Sequence, residues 1–192
     1  LFLPTAAIML ALPILRVRQW RNLFFVPLLL LLSVANLMSH LALQPGTSTS
    51  TSANTGFYLA ILLVMQLMMV MGGRVIPFFT ANGTQTPKAE PIKWLEWTAL
   101  GGGWLIVLSF LAGLDQQSDL RTELAILLLV TGLAHGWRCI RWQPWITLKV
   151  PLLWSLHLAY WFIPLGCIAL SWHFLSNTLS LAGAVHLITV GA

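Results

Sequence analysis

The sequence predicts an all-α fold, a polytopic transmembrane helix bundle of about seven spans. Three observations carry this. The 192 residues are 58% hydrophobic and only 8% charged, against about 25% charged in a soluble domain. The apolar residues run in continuous blocks rather than alternating, which disfavours a β-barrel. Most blocks approach the roughly 20 residues needed to cross a bilayer. The same composition excludes a soluble globular domain, which could not hide so much apolar surface. It excludes disorder, which needs low hydrophobicity. Two cysteines exclude a disulfide scaffold.

Taken in order, the apolar spans run over 1–15, 23–43, 57–79, 94–114, 122–140, 150–172 and 178–192. The first and last are about 15 residues, short of a full crossing. Leu1 stands inside one apolar run and Gly191-Ala192 inside another. The expectation is an internal piece of a longer protein, forming a single transmembrane helical domain over 1–192. The longest candidate connectors are the low-complexity stretch Gln44–Asn54 and Thr80–Lys93. Gly101-Gly102-Gly103 and the pair Gly132 and Gly136 read as close-packing helix surfaces. Pro77, after Gly72-Gly73-Arg74, is expected to kink the third span and free a backbone carbonyl.

Orientation follows from the basic residues. Connectors one, three and five, with their helix ends, carry Arg16, Arg18, Arg21, Arg74, Lys88, Lys93, Arg138, Arg141 and Lys149. The even connectors carry only Arg121. By the positive-inside rule connectors 16–22, 80–93 and 141–149 face the cytoplasm. Trp20, Trp94, Trp97, Trp137, Trp142 and Trp145 lie at the same ends, as an interfacial belt does. This distribution accounts for the net charge of +5 without a nucleic-acid partner.

Ionisable groups inside spans are costly and mark function. At 1.5 Å per residue Arg74 lies roughly 6 Å from its span end, His135 about 5–8 Å and His157 about 12 Å from theirs. His186 falls near the bilayer centre, while His40 and His173 fall near the outer surface. Imidazole is a common ligand for haem iron and copper. By depth, His157 and His186 match best as a clamp, with His135 next. Arg74 would pair with a propionate or another anion, or snorkel to the interface. Each histidine could equally bond a neighbouring helix. Met65, Met68, Met69 and Met71 suit Cu(I) but more often fill gaps. Cys139 and Cys167 read as small buried hydrophobes, and Glu96 as a solvated rim charge. No Walker loop, nucleophile elbow or deep carboxylate pair is present, so ATP is not expected as a partner. No reaction is assigned.

The stretches Arg21–Pro27, Met71–Thr80, Leu153–Trp161 and His186–Ala192 resemble the NnrS family. The most specific is Gly-Gly-Arg-Val-Ile-Pro-Phe-Phe-Thr over 72–80. The resemblance implies a bacterial inner-membrane protein of the nitric oxide response, containing haem and copper and protecting against nitrosative stress. It implies a protein about twice this length with about twelve spans. Arg74, His157 and His186 fall inside the family's motifs, and His40 and His135 in similar stretches. The combined expectation is a haem pocket held by His157 with His186 or His135, with Arg74 beside it. His40 and His173 remain as outer metal ligands, and nitric oxide or iron–nitrosyl species as ligands entering from lipid. The rival reading is a transporter or channel for an anion or metal, lined by the broken span at Arg74–Pro77.

Overall fold

The computed structural model describes residues 2–42, 50–176 and 178–191, with the backbone alone for residues 50–53. Among these residues there are seven α-helices and no strand. They are α1 (Phe2–Arg16), α2 (Phe25–Ala42), α3 (Ser50–Thr84), α4 (Lys93–Leu111), α5 (Arg121–Arg141), α6 (Pro151–Ser176) and α7 (Leu181–Gly191). Helices are the outcome because hydrocarbon offers the backbone no partner except its own chain. Five segments are long and apolar enough to cross a membrane: Trp20–Ala42, Asn54–Thr84, Lys93–Leu111, Ser118–Arg141 and Pro151–Ser176. Helices α1 and α7 are shorter, at 15 and 11 residues.

The third span departs from expectation. Helix α3 passes through Pro77 without interruption and continues to Thr84, five residues beyond the expected end. A proline removes one N–H, and packed neighbours can absorb that loss inside a bundle. Pro77 is itself buried. Helix α4 stops at Leu111, and Gly113 follows in the left-handed region at φ 70°. That backbone favours glycine and turns the chain toward α5. Of the connector expected over Gln44–Asn54, residues 44–49 lie outside the described residues, and the rest begins α3.

The chain falls into two compact units, Leu1–Leu67 and Met68–Ala192. In the first, α1 packs on α2. Gly56 of α3 lies so close to α2 that an added Cβ would stand 2.8 Å from the Ala35 carbonyl oxygen. In the second, α4, α5, α6 and α7 pack in sequence order, and the remainder of α3 runs beside α5 and α6.

The register in the second unit is set by small residues facing large ones. Gly102 meets Thr131 between α4 and α5, and Gly132 meets Cys167 between α5 and α6. Gly166 meets Ile188 and Gly191 meets Phe162 between α6 and α7. On α3, Gly72 receives the Tyr160 ring and Gly73 the Arg138 guanidinium. Small residues at such crossings let backbones approach closely. Most of the tryptophans expected at the interface are exposed, including Trp94, Trp97, Trp137 and Trp145. Trp142 is the exception: it is 6% exposed and packs inside the bundle.

Candidate functional site

The end of the second unit that carries connectors 80–93 and 141–149 is called the basic end here. One helical turn inside it, Glu96 on α4 and Arg138 on α5 stand at equal depth. Arg138 is 2% exposed and Glu96 28%. The guanidinium grips the carboxylate as a fork, Nε to Oε1 and Nη2 to Oε2, both at 2.9 Å. Bidentate pairing of this kind is the strongest form of the contact. It compensates a cation that would otherwise be stranded in the bundle. The sequence expectation for Glu96 was solvation; it is instead the partner of a buried arginine.

The remaining donors of Arg138 order its surroundings. Nη1 donates to the Tyr160 hydroxyl at 2.8 Å and approaches the Met69 carbonyl at 3.4 Å and His135 Nδ1 at 3.2 Å. Arginine only donates, so Nδ1 of His135 presents its lone pair. The Tyr160 hydroxyl lies 2.9 Å from that same nitrogen. The other nitrogen, Nε2, then carries the proton and donates to the Ala99 carbonyl at 3.2 Å. The partners fix one tautomer and leave His135, which is fully buried, no free nitrogen. Arg138 and His135 share a face of α5 because they are three residues apart. Gly72 and Gly73 matter here for a steric reason. An added Cβ would stand 2.3 Å from a Tyr160 ring carbon and 2.0 Å from Arg138 Nη2.

His157 lies one turn from Tyr160 on α6 and is 2% exposed. Its Nε2 is 2.9 Å from Thr80 Oγ1 on α3, and its Nδ1 is buried without a hydrogen-bond partner. The Trp142 ring separates the two histidine environments, at 4.8 Å from Tyr160 and 6.5 Å from His157 between ring centres. Beside Thr80 a cavity of about 30 Å³ is lined by residues including Thr86, Trp142 and Gln143. The structure thus brings together His135 and His157, in two distinct settings.

His186 and His173 stand apart from this cluster. The contacts Gly166–Ile188 and Phe162–Gly191 set α7 antiparallel to α6, which puts His186 level with residues 167 and 168. His157 is about ten residues away along α6, roughly 15 Å at 1.5 Å per residue. The expected match in depth is therefore not met. His186 is exposed on α7. Arg74 is half-buried on α3; the arginine that enters the bundle is Arg138. His40 is exposed on α2. His173 is half-buried, and its Nδ1 donates to the Leu179 carbonyl at 2.7 Å, bracing the turn into α7.

The donor set decides what a metal or haem could use. Among the described residues no group of three or more His, Cys, Asp or Glu is placed to hold a metal ion. The nitrogens of His135 are committed, and the cavity near His157 is the size of a water molecule rather than a porphyrin. Met65 and Met69 are fully buried packing groups. Met68 and Met71 line a separate apolar groove of about 220 Å³ between α3 and α6.

Sequence reasoning missed Arg138, Glu96, Tyr160 and Thr80. A signal existed for the first pair. Glu96 is three residues from the start of α4 and Arg138 three from the end of α5, so both lie at one depth on successive spans.

With five segments able to cross a bilayer, the chain is a multi-pass membrane protein. No curated protein and no solved structure matches it. The family model described as NnrS protein matches residues 1–192, the whole length. The chain belongs to the NnrS family.

Proposed function

We propose that this protein serves the nitric oxide response in the bacterial inner membrane and protects against nitrosative stress. It binds haem, and with it copper, through imidazoles on the exterior of its helices. The observation that carries this reading is His186. It sits in the middle of the apolar helix α7, exposed, with no hydrogen-bond partner among the described residues. An ionisable group facing hydrocarbon is expensive and by default marks a site. Haem bound there would supply an iron that coordinates nitric oxide, a ligand small and apolar enough to enter from lipid. Exposed His40, and Nε2 of His173, are further imidazole nitrogens offered for copper. The basic end, with connectors 80–93 and 141–149, and connector 16–22 face the cytoplasm. The Glu96–Arg138–Tyr160–His135 cluster holds four helices in register and does not ligate.

The test is the absorption spectrum of the full-length protein, purified in mild detergent from haem-sufficient cells, before and after dithionite. A Soret band that shifts on reduction, persists in His135→Gln and disappears in His186→Ala is the expected result. A band unchanged in His186→Ala would move the ligand elsewhere. Folded protein with neither a Soret band nor copper by elemental analysis would contradict the reading altogether.

A further inference from the structure

We propose that the small cavity at the basic end is an internal water site, and that it feeds protons through Thr80 to the buried imidazole of His157. The inference is independent of the haem reading. Three observations meet at this point. The cavity, about 30 Å³, is large enough for a water molecule, which needs roughly 10–15 Å³ and two to four polar partners. Thr80, Thr86 and Gln143 line it and supply those partners.

Secondly, Thr80 belongs to both sides. It lines the cavity, and its Oγ1 stands 2.9 Å from His157 Nε2. A hydroxyl can donate one hydrogen bond while accepting another. Hydrogen bonding continues outward: Thr84 Oγ1 donates to the Thr80 carbonyl at 2.7 Å and lies 2.7 Å from Thr86 Oγ1. Thirdly, His157 is 2% exposed and its Nδ1 has no partner. A buried polar atom without a partner is costly, and it leaves the imidazole one open end.

The step balances. With the proton on Nε2, the Thr80 hydroxyl gives its own proton to the cavity water as it takes the one from Nε2, and the water passes a proton to the solution at the basic end. The same path run backwards returns a solvent proton to Nε2, so Nδ1, which faces no partner, releases nothing. One proton leaves, one enters, and no bond between heavy atoms changes. His135, three residues from Arg138 on α5, cannot do this. Its Nδ1 lone pair faces Arg138 and Tyr160, and its Nε2–H is held by the Ala99 carbonyl.

The experiment is solvent exchange of histidine ring N–H protons, read by solid-state nitrogen NMR on the full protein in lipid bilayers after transfer to D2O. The expected result is that the His157 ring exchanges at least tenfold faster than that of His135. Thr80→Val should slow His157 at least tenfold, and Thr80→Ser should restore it. Ala89→Val, which fills the cavity wall while leaving Thr80 intact, should also slow it. Exchange of His157 as slow as His135 in the unaltered protein would overturn the proposal. So would exchange in folded Thr80→Val that matches the unaltered protein.

Discussion

Gly73→Ala isolates the fit of Arg138 against α3. An added Cβ stands 2.0 Å from Nη2 and 3.1 Å from Cζ. Arginine ends are usually free to swing away, but this one is held. The Glu96 fork fixes Nε and Nη2 at 2.9 Å each, and Tyr160 fixes Nη1 at 2.8 Å. Relief therefore requires α3 to move off α5 or the fork to open. Overpacking of this kind costs about 1–3 kcal/mol, and opening a buried pair can cost about 3–5 kcal/mol. Removing a helical glycine returns about 1 kcal/mol. A net loss of about 2 kcal/mol lowers the melting temperature by roughly 4–8 °C at this chain length. Gly101→Ala is the internal control, since nothing lies within 4 Å of its added Cβ. It should gain the same propensity of about 1 kcal/mol with no clash, raising the midpoint by roughly 2–4 °C. Thermal unfolding of both variants in one detergent measures the contrast. A Gly73→Ala midpoint at or above that of the unaltered protein would refute the steric argument.

Removing one partner of the buried pair should hurt more than removing both. Glu96→Ala should cost about 3 kcal/mol by stranding Arg138, and Glu96→Leu with Arg138→Met should recover most of it in a denaturation cycle. Cys139 and Cys167, 1% and 0% exposed, should resist a maleimide reagent in folded protein and label only after unfolding in detergent. Asp115, outside the spans, has its carboxyl pushed above the ordinary 3.8 by burial. Its folded form therefore holds the proton more tightly than the unfolded chain, so its contribution to stability falls as pH rises above about 3.8. Asp115→Asn should raise the melting temperature at pH 7 and lose that advantage near pH 4.

The helices were legible because hydropathy is a strong signal in a chain with so few charges. The register between helices was not. It depends on which small residue meets which large one, as Gly166 meets Ile188, and periodicity carries no such pairing. That is why His157 and His186 differ in depth: each depth is counted from an opposite end, and α6, at 26 residues, is longer than a minimal crossing. His135 and His157 were visible as polar groups in apolar runs. Arg138 was hidden in plain view, counted with Arg141 as an interfacial charge, although three-residue spacing sets it on the face of His135. Trp142 was misplaced in the belt for the same reason: one helix end holds both lipid-facing and bundle-facing positions. Pro77 does not end α3, because a proline breaks an isolated helix more readily than one packed within a bundle.

The most direct test of the exterior-ligand account is electron paramagnetic resonance of the reduced full-length protein exposed to nitric oxide. The expected spectrum is that of a haem nitrosyl with hyperfine splitting from a second, imidazole nitrogen. That splitting should vanish in His186→Ala and survive in His135→Gln. The same imidazole splitting in His186→Ala would contradict the account, because the ligand would then lie elsewhere than on the exposed face of α7.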